Sequence, residues 1–474
     1  MQRDSLLWLA TGVFAVACSS TPSPAPPDAP TDVPQDVALD TGDAPPGDVP
    51  PGDVQDADVA PTDADAAVME PETLRSMRGR SPAATDDLAA LAQGNADFGL
   101  ALHRAAVPAT GNTVMSPYSV STALAMARAG AVGTTGTEID TALRFTLTGD
   151  RLHGAFNAAD LALAGRPAEA TAADPEPAVP RPALRLRVAN DVWVQRGLPV
   201  VPAYLDTLGR WYGAGARVLD FAAAPDPSRR TINAWISSLT EARVPELIPA
   251  GTIDGATKVV LTNAVYFNAR WLHRFNPDYT AEGVFTRVDG TTVNARMMSG
   301  GVARQLPYAE GAGWRAVELP YVGDRLAMLV VVPDAGTFAD FERSFDGARY
   351  RAVTAALGQR LVSVRLPRFT ARLPLLLRGP LESLGMRAAF TSGADFSGIT
   401  PGGGIFIEQV VHEGFIEVTE AGTEAAAATA VIFADSSVQP DIVNVSVDRP
   451  FYYVIRDRPT GAMLFVGRVV DPTR

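Results

Sequence analysis

Three side chains in this sequence have the residue types needed for nucleophilic chemistry. Ser116 and Ser119 lie three positions apart in SPYSVSTALAMARAG, and His412 is one of four histidines in the chain. A serine hydroxyl next to an imidazole base is the minimum pair for hydrolysis through a covalent intermediate. The same residue types also occur as buried groups that satisfy each other's hydrogen bonds. Residue type alone leaves both interpretations open, and we favour the second, in which the serines and the histidine are buried groups without a catalytic role.

Four widespread catalytic and ligand-binding motifs are absent from the sequence. It contains no GxSxG, Walker, GxGxxG or HExxH pattern, and the glycine-rich segment 400–404 (TPGGG) has no lysine for a phosphate. Cys18 is the only cysteine, which excludes an intramolecular disulfide and a cysteine-based metal site. We therefore expect neither a metal nor a cofactor, and an enzyme would depend on Ser116, Ser119 and His412.

Two helices are predicted around the two serines. Ser116 is a candidate N-cap, Pro117 occupies the first helical position and Gly130 follows as a stop signal. Thr135 and Glu138 have the spacing of a capping box, which predicts that a second helix begins there with TEIDTALRF. The first helix would hold both serines near its N-terminus.

The rest of the body combines one more clear helix with several strands. Residues 226–242 place apolar side chains at helical spacing behind an Asp-Pro pair. The predicted strands are rich in β-branched residues and cover 258–267, 325–333, 361–369 and a hairpin over 451–470. Residues 175–182 (PEPAVPRP) indicate a surface loop. The pattern is that of one α+β domain of nearly 400 residues.

The negative charge of the chain is concentrated near its N-terminus. The chain has a net charge of −13. Twelve acidic residues lie between Ser19 and Glu70, and this segment contains no Lys or Arg. Arg3 and Asp4 cancel, so residues 71–474 carry a net charge of only −1. A nearly neutral body argues against a nucleic-acid-binding protein.

The first 80 residues indicate export followed by a tether. Residues 6–17 form an apolar run of signal-peptide length, so residues 1–17 are predicted to be a signal peptide. The junction AVAC allows two outcomes: cleavage to a soluble secreted protein, or lipidation of Cys18 at a site that resembles a bacterial lipobox. Residues 18–80 are rich in Pro, Asp and Ala, which predicts a disordered tether able to reach on the order of 100 Å. The domain itself is expected over 81–474.

Seven segments, taken together, resemble the serpins. They occur in the serpin order and cover essentially all of 82–474: SPYSVSTALAMARAGAVGTTGTEI, TNAVYFNARWLHRF, LPRF, ADFSGIT, EAGTEAAAATA, DRPF and FVGRVVDP. The resemblance implies the serpin fold, an α+β domain with three β-sheets, about nine helices and an exposed reactive-centre loop at about 420–445. It also implies a monomer that inhibits an endopeptidase. The protease would cleave the loop and be trapped as an acyl-enzyme when the cleaved loop enters the central sheet.

The resemblance assigns conformational roles to individual residues. Ser116, Ser119, Asn263 and His412 match the buried shutter beneath the central sheet, Trp271 matches the breach where loop insertion begins, and Asn190 and Trp193 match another buried sheet segment. The hinge that starts the loop is matched by Glu420, Gly422, Thr423, Glu424, Ala425, Ala426, Ala427 and Ala428. The resemblance assigns none of these residues a catalytic role, because the catalytic serine belongs to the target protease.

The side chains of the hinge favour an inhibitor. If the loop became a strand, Thr423, Ala425, Ala427 and Thr429 would face the core, and all four are small and uncharged. A buried unpaired charge or a proline there would oppose insertion, whereas Glu424 would face outward. A non-inhibitory serpin acting as a binding or chaperone module remains the alternative, and a surface serine hydrolase a more remote one.

The serpin register places the scissile bond between Ser436 and Ser437. A small residue before the cut favours an elastase- or subtilisin-like target, and a shifted register would offer Phe433 to a chymotrypsin-like enzyme. Residues 147–187 lack the continuous basic patch that a glycosaminoglycan would need. We expect membrane contact only through a lipid on Cys18.

Overall fold

The computed structural model describes residues 11–19, 70–177, 182–422 and 441–474. Nine α-helices lie within these residues, as the serpin resemblance implied. They are α1 (Leu88–Ala106), α2 (Pro117–Arg128), α3 (Gly133–Ala142), α4 (Gly149–Ala172), α5 (Pro202–Thr207), α6 (Pro225–Leu239), α7 (Phe338–Ser344), α8 (Gly347–Ala356) and α9 (Arg378–Ser383). A π-helical turn, Leu208–Tyr212, continues α5.

Seventeen strands are found in the same part of the chain. They are β1 (Thr11–Ser19), β2 (Glu72–Leu74), β3 (Thr113–Met115), β4 (Leu184–Gln195), β5 (Ala216–Leu219), β6 (Thr257–Ala269), β7 (Asn276–Thr286), β8 (Thr292–Ser299), β9 (Arg304–Gly311), β10 (Trp314–Pro320), β11 (Leu326–Pro333), β12 (Gly358–Pro367), β13 (Phe369–Leu376), β14 (Phe406–Val418), β15 (Val443–Ser446), β16 (Phe451–Asp457) and β17 (Met463–Val469). The strands predicted at 258–267, 325–333 and 361–369 correspond to β6, β11 and β12.

A central sheet of seven strands has the order β13-β14-β1-β6-β4-β5-β2. Strand β1 lies between β6 and β14 and is antiparallel to both over its whole length. It is formed by residues that include the end of the predicted signal peptide. The sheet therefore has a strand position between β6 and β14 that a segment distant in sequence can occupy.

The remaining strands form one continuous sheet, which differs from the expected division into three sheets. Its order is β3-β17-β16-β11-β10-β9-β12-β8-β7, and β15 pairs with β12. The pairing of β12 with β9 extends over five residue pairs, Gly358–Val362, and joins β12, β8, β7 and β15 to the strands that run from β9 to β3. Because the pairing of β12 with β9 is continuous, the described residues form two hydrogen-bonded sheets and not three.

The predicted hairpin at 451–470 is present as β16 and β17. Its turn is organised by Asp457, whose carboxylate accepts hydrogen bonds from the Thr460 amide at 3.0 Å and the Thr460 hydroxyl at 2.6 Å. The same carboxylate binds Arg166 of α4 through Nε at 2.7 Å, with the Asp457 side chain fully buried. Helix α4 is thereby fixed to the turn by a buried, fully hydrogen-bonded ion pair.

The two helix starts predicted near the serines have different outcomes. Helix α2 begins as predicted, with Ser116 as N-cap and Pro117 at the first position. The capping box is wrong, because α3 begins at Gly133 and Thr135 lies inside it. The Thr135 hydroxyl accepts the Asp395 amide at 2.9 Å, and the Glu138 carboxylate accepts the Ala388 amide at 2.6 Å. Both side chains hold a distant loop rather than their own helix.

Residues 70–80 pack against the body, although the sequence places them in the tether. Strand β2 pairs antiparallel with β5 at the edge of the central sheet. Ser76 donates to Asp206 at 2.5 Å, and Arg80 binds Asn157 at 2.8 Å and also Asp160. The ordered body thus includes these residues.

No helix within 70–177, 182–422 or 441–474 has both the length and the apolar composition of a membrane span.

Candidate functional site

His412 and Ser116 meet beneath the central sheet, but not as a base and a nucleophile. The Ser116 backbone amide donates to His412 Nε2 at 3.0 Å, and the Ser116 hydroxyl accepts the Ser119 amide at 3.2 Å as a helix cap. All three residues have 0% exposure. The ring nitrogen that would take a proton from a hydroxyl is already occupied by an amide. The contact therefore has the form of buried polar groups that satisfy one another.

The other residues predicted near this point lie on the neighbouring strands. Asn263 of β6 stands opposite Asn190 of β4 in the register, and the side chains of both lie outside the described residues. Trp193 of β4 is fully buried, and its indole donates to the Thr262 hydroxyl at 2.9 Å. The sheet above α2 is thus hydrogen-bonded through side chains as well as through its backbone.

Trp271 lies at the end of β6, where the central sheet meets the start of the loop. It is 2% exposed and stacks on Tyr321 with ring centres 4.5 Å apart. Its indole nitrogen donates to the Thr419 carbonyl at 3.0 Å, and the Phe275 amide donates to the Glu420 carbonyl at 3.0 Å. Two backbone carbonyls that follow β14 are therefore held by the connection between β6 and β7.

Glu420 is anchored by its side chain as well. The residue is 4% exposed, and its carboxylate accepts hydrogen bonds from the Thr280 hydroxyl at 2.5 Å and from Arg368 Nε at 2.7 Å. Arg368 is more exposed and supplies the compensating charge from the β12–β13 connection. A buried carboxylate is stable only when it is paired in this way. The first residue of the predicted hinge is consequently fixed in place.

Gly422 occupies a position that other residues cannot enter without strain. Its φ is +70°, in the left-handed region that favours glycine. A Cβ there would lie 2.1 Å from the Trp271 amide nitrogen and 2.5 Å from Arg270 Cα. The chain requires glycine here because it turns away from β14 directly against the backbone of the β6–β7 connection.

Two arginines that flank Trp271 were missed by the sequence reasoning. Arg270 is 2% exposed and binds Asp174, while Arg274 binds Glu176. Both carboxylates belong to the connection after α4, and of the two only Glu176 lies in the segment 175–182 that the sequence indicated as a surface loop. The available signal was the pair of acids in DPE and the two arginines in ARWLHR. Their separation of almost one hundred residues hid the contact.

The remaining predicted site residues cannot be placed. Thr423, Glu424, Ala425, Ala426, Ala427 and Ala428 of the hinge and both residues of the predicted scissile bond, Ser436 and Ser437, lie outside the described residues. Cys18 belongs to β1, and its side chain is likewise outside them. Among the residues that the structure does describe, no cluster of His, Cys, Asp or Glu has a metal-binding arrangement.

Two buried histidines, His103 of α1 and His153 of α4, are kept neutral. Burial lowers the pKa of His103 to about 3, and the charge of Arg468 adds to the effect. Burial also lowers the pKa of His153 to about 4, assisted by Arg128. Each ring has a polar partner, since His103 Nε2 lies 2.9 Å from the Thr113 hydroxyl and His153 Nδ1 lies 2.8 Å from the Tyr212 hydroxyl.

Comparison with known proteins identifies the family to which this arrangement belongs. The model of the family described as serpin, serine protease inhibitor, matches residues 93–472. The chain belongs to the serpin family. Among curated proteins, this serpin is 35% identical to an uncharacterized serpin-like protein of Thermococcus kodakarensis, over 76% of this chain and 81% of the relative. It is 34% identical to the leukocyte elastase inhibitor of Bos taurus, over 76% of this chain and 93% of that protein.

Solved structures agree with the serpin fold. The thermophilic serpin tengpin in its native state matches with a TM-score of 0.71 at 24% identity, over 84% of this chain and 97% of tengpin. Thyroxine-binding globulin, solved in complex with thyroxine, matches with a TM-score of 0.67 at 26% identity, over 81% of this chain and all of that one. The predicted family and fold are confirmed. The relatives support a protease inhibitor of the serpin type with a protease as its partner.

Proposed function

We propose that this serpin is a suicide-substrate inhibitor of serine endopeptidases, with papain-like cysteine endopeptidases as a second class. The observation that carries the proposal is the anchored hinge. Glu420 and Gly422 follow β14 of the central sheet and are held against the β6–β7 connection, while residues 423–440 follow before β15. The loop would be cleaved by the protease and retain it as an acyl-enzyme.

The central sheet supports this proposal through the strand position between β6 and β14. That position holds β1, which runs antiparallel to both neighbours. A loop that follows β14 and folds back would also run antiparallel to β14. The small residues Thr423, Ala425, Ala427 and Thr429 suit an inserted strand whose alternate side chains face the core. Insertion requires β1 to be absent from that position, as it would be after removal of the predicted signal peptide.

The target preference follows from the proposed register. Cleavage between Ser436 and Ser437 favours elastase- or subtilisin-like enzymes, and cleavage after Phe433 would favour chymotrypsin-like ones. The bovine relative named leukocyte elastase inhibitor agrees with the first choice. The inhibitor would act as a monomer, without a glycosaminoglycan.

The decisive experiment mixes the chain lacking residues 1–17 with elastase, subtilisin, chymotrypsin and papain, followed by denaturing gels. We expect a covalent, SDS-resistant complex with at least one serine protease, and mass spectrometry of the released fragment then gives the scissile bond. Loop cleavage without a complex, and without a rise in thermal stability, would contradict inhibition and leave a binding or chaperone role. Ester hydrolysis lost in Ser116→Ala would instead support a hydrolase.

We further propose that the protein is exported and held at the cell envelope or outer surface by a lipid on Cys18. The support is the sequence pattern at the AVAC junction and the acidic tether that follows. Labelling with a lipid precursor tests this, with Cys18→Ala as the control. No labelling of either form would favour a soluble secreted protein, and equal labelling of both would show that Cys18 is not the lipidated residue.

A further inference from the structure

Arg270 is a cation buried where several segments of the chain meet. It directly precedes Trp271 and is 2% exposed. Its amide donates to the Ala183 carbonyl at 3.0 Å, directly before β4, and its carbonyl accepts the Val322 amide at 2.9 Å from the turn between β10 and β11. Its Cα belongs to the surface against which Gly422 turns. The backbone of Arg270 is therefore fixed on two sides and borders the hinge on a third.

The charge of Arg270 is balanced by the connection after α4. Its guanidinium binds the carboxylate of Asp174, whose side chain is 7% exposed. The Glu176 carboxylate lies 3.8 Å from Arg270 Nη1 and is engaged by Arg274. These two are the only ion pairs of Arg270 in the described part of the chain. Asp174 is thus the main partner of a charge that is shielded from water.

The pair is incomplete as a source of stability. Arg270 Nε has no hydrogen-bond partner among the described residues. Moving two charges out of water costs free energy, which an ion pair recovers only when its remaining hydrogen bonds are also made. A pair with one buried donor unsatisfied is better suited to fix the position of a segment than to stabilise the whole domain.

The segment to which Arg270 is tied is itself held firmly. Helix α4 ends two residues before Asp174 and is fixed to the turn of the β16–β17 hairpin by its own buried ion pair. Ala170 of α4 also packs against the β10–β11 turn, because a Cβ on Gly323 would lie 2.9 Å from Ala170 Cα. If Arg270 moved away, α4 could not follow it, and the ion pair would have to break.

We propose that Arg270 is a positioning residue for loop insertion, and that its pair with Asp174 holds the end of β6 in place until the loop is cleaved. The inference rests on the proposed inhibitory function, because the loop leaves β14 at this end of the sheet and would enter there. Trp271 can donate to the Thr419 carbonyl, at 3.0 Å, only while the end of β6 stays in position. Release of Arg270 would let the ends of β6 and β14 separate before cleavage.

The first test is hydrogen exchange of the indole groups in the full uncleaved chain, with isotopically labelled tryptophan. Trp271 reports the hinge anchor, and Trp193, whose indole donates to Thr262, reports the sheet itself. Asp174→Asn removes the charge partner with little change in shape. It should accelerate exchange at Trp271 about tenfold more than at Trp193, because the hinge opens locally. Asp174→Glu, which keeps the charge, should restore most of the protection.

Asp471→Asn is the matched control. The Asp471 side chain is 8% exposed, almost as deeply buried as that of Asp174, and pairs with Arg287 at 2.7 Å. This variant should change both exchange rates by the same factor. Equal acceleration of both indoles by Asp174→Asn, or no acceleration, would overturn the positioning role and leave the pair with overall stability alone. Exchange in Asp174→Glu as fast as in Asp174→Asn would overturn the role of the charge.

The second test measures inhibition after incubation without protease, in the chain lacking residues 1–17. Freshly prepared Asp174→Asn should form SDS-resistant complexes and should lose this ability several times sooner than the wild type. Equal rates of loss would show that Arg270 does not restrain the loop. If the wild type forms no complex with any protease, the proposed inhibitory function fails, whereas the exchange rates still decide whether Arg270 holds the hinge.

Discussion

Gly422→Ala should destabilise the uncleaved serpin but not the cleaved one. The left-handed φ of +70° costs a residue with a Cβ roughly 1–2 kcal/mol. The added Cβ would also lie 2.1 Å from the Trp271 amide nitrogen and 2.5 Å from Arg270 Cα. These are backbone atoms, which cannot rotate away, so relaxation adds about 1–3 kcal/mol. We expect a total loss of roughly 2–5 kcal/mol in the free energy of unfolding.

After loop insertion, residue 422 would be part of an extended segment. An alanine is then acceptable, and even favoured over glycine by about 0.5–1 kcal/mol because it loses less backbone entropy. The substitution therefore separates the two states. It should lower the free energy of unfolding of the uncleaved form. The cleaved form should be as stable as the cleaved wild type, or slightly more stable.

The assay is urea denaturation of the chain before and after loop cleavage, for the wild type and two variants. Gly197→Ala is the matched control, because Gly197 also has a left-handed φ, +81°, but a Cβ there would meet no atom within 4 Å. It should lose only about 1–2 kcal/mol, in both forms. The reasoning is refuted if Gly422→Ala costs no more than Gly197→Ala, or if it costs the same before and after cleavage.

Three further predictions concern acid stability, the hinge anchor and the hinge itself. Burial holds the pKa of His103 at about 3 and that of His153 at about 4. Below pH 6.5 the unfolded chain therefore binds more protons than the folded chain. The free energy of unfolding should consequently fall as the pH drops from 6.5 towards 4. His153→Gln should flatten that dependence in a pH series of denaturation curves. Glu420→Gln should destabilise the uncleaved chain by roughly 1–3 kcal/mol in urea, because Arg368 loses its buried charge partner. Thr423→Arg should leave the thermal midpoint unchanged but abolish SDS-resistant complexes, since a charge would face the core after insertion.

Each of these has a contrary result. An unchanged pH dependence in His153→Gln would show that this histidine does not limit acid stability. Full stability of Glu420→Gln would show that the hinge is held by its backbone contacts alone. Retained inhibition by Thr423→Arg would show that trapping does not require insertion of that residue.

The sequence predicted the elements whose signals are local. The run at 258–267 is rich in β-branched residues throughout and forms β6. The start of α2 at Ser116 and Pro117 is determined by neighbouring residues alone. The family and fold were recognisable from the order of several short segments. No single segment would have been sufficient.

Contacts between distant segments could not be predicted. Thr135 and Glu138 have capping-box spacing, but their oxygens accept amides from the loop near Ala388 and Asp395, about 250 positions away. The residues of the capping box give no sign that these distant amides compete for the same oxygens. Arg270 and Asp174 are similarly an ion pair only because the connection after α4 lies beside the connection after β6. Continuous pairing of β12 with β9 likewise depends on how two distant strands meet.

Strand β2 has a practical consequence for anyone who shortens this protein. A strand at the border of a sheet presents unpaired backbone groups on which another chain can assemble. Residues 72–74 cover those groups on β5. A chain begun at Ser81, where the sequence pattern suggests the domain starts, would uncover them and would self-associate more readily. Retaining the residues from Glu70 onward should keep the purified protein monodisperse.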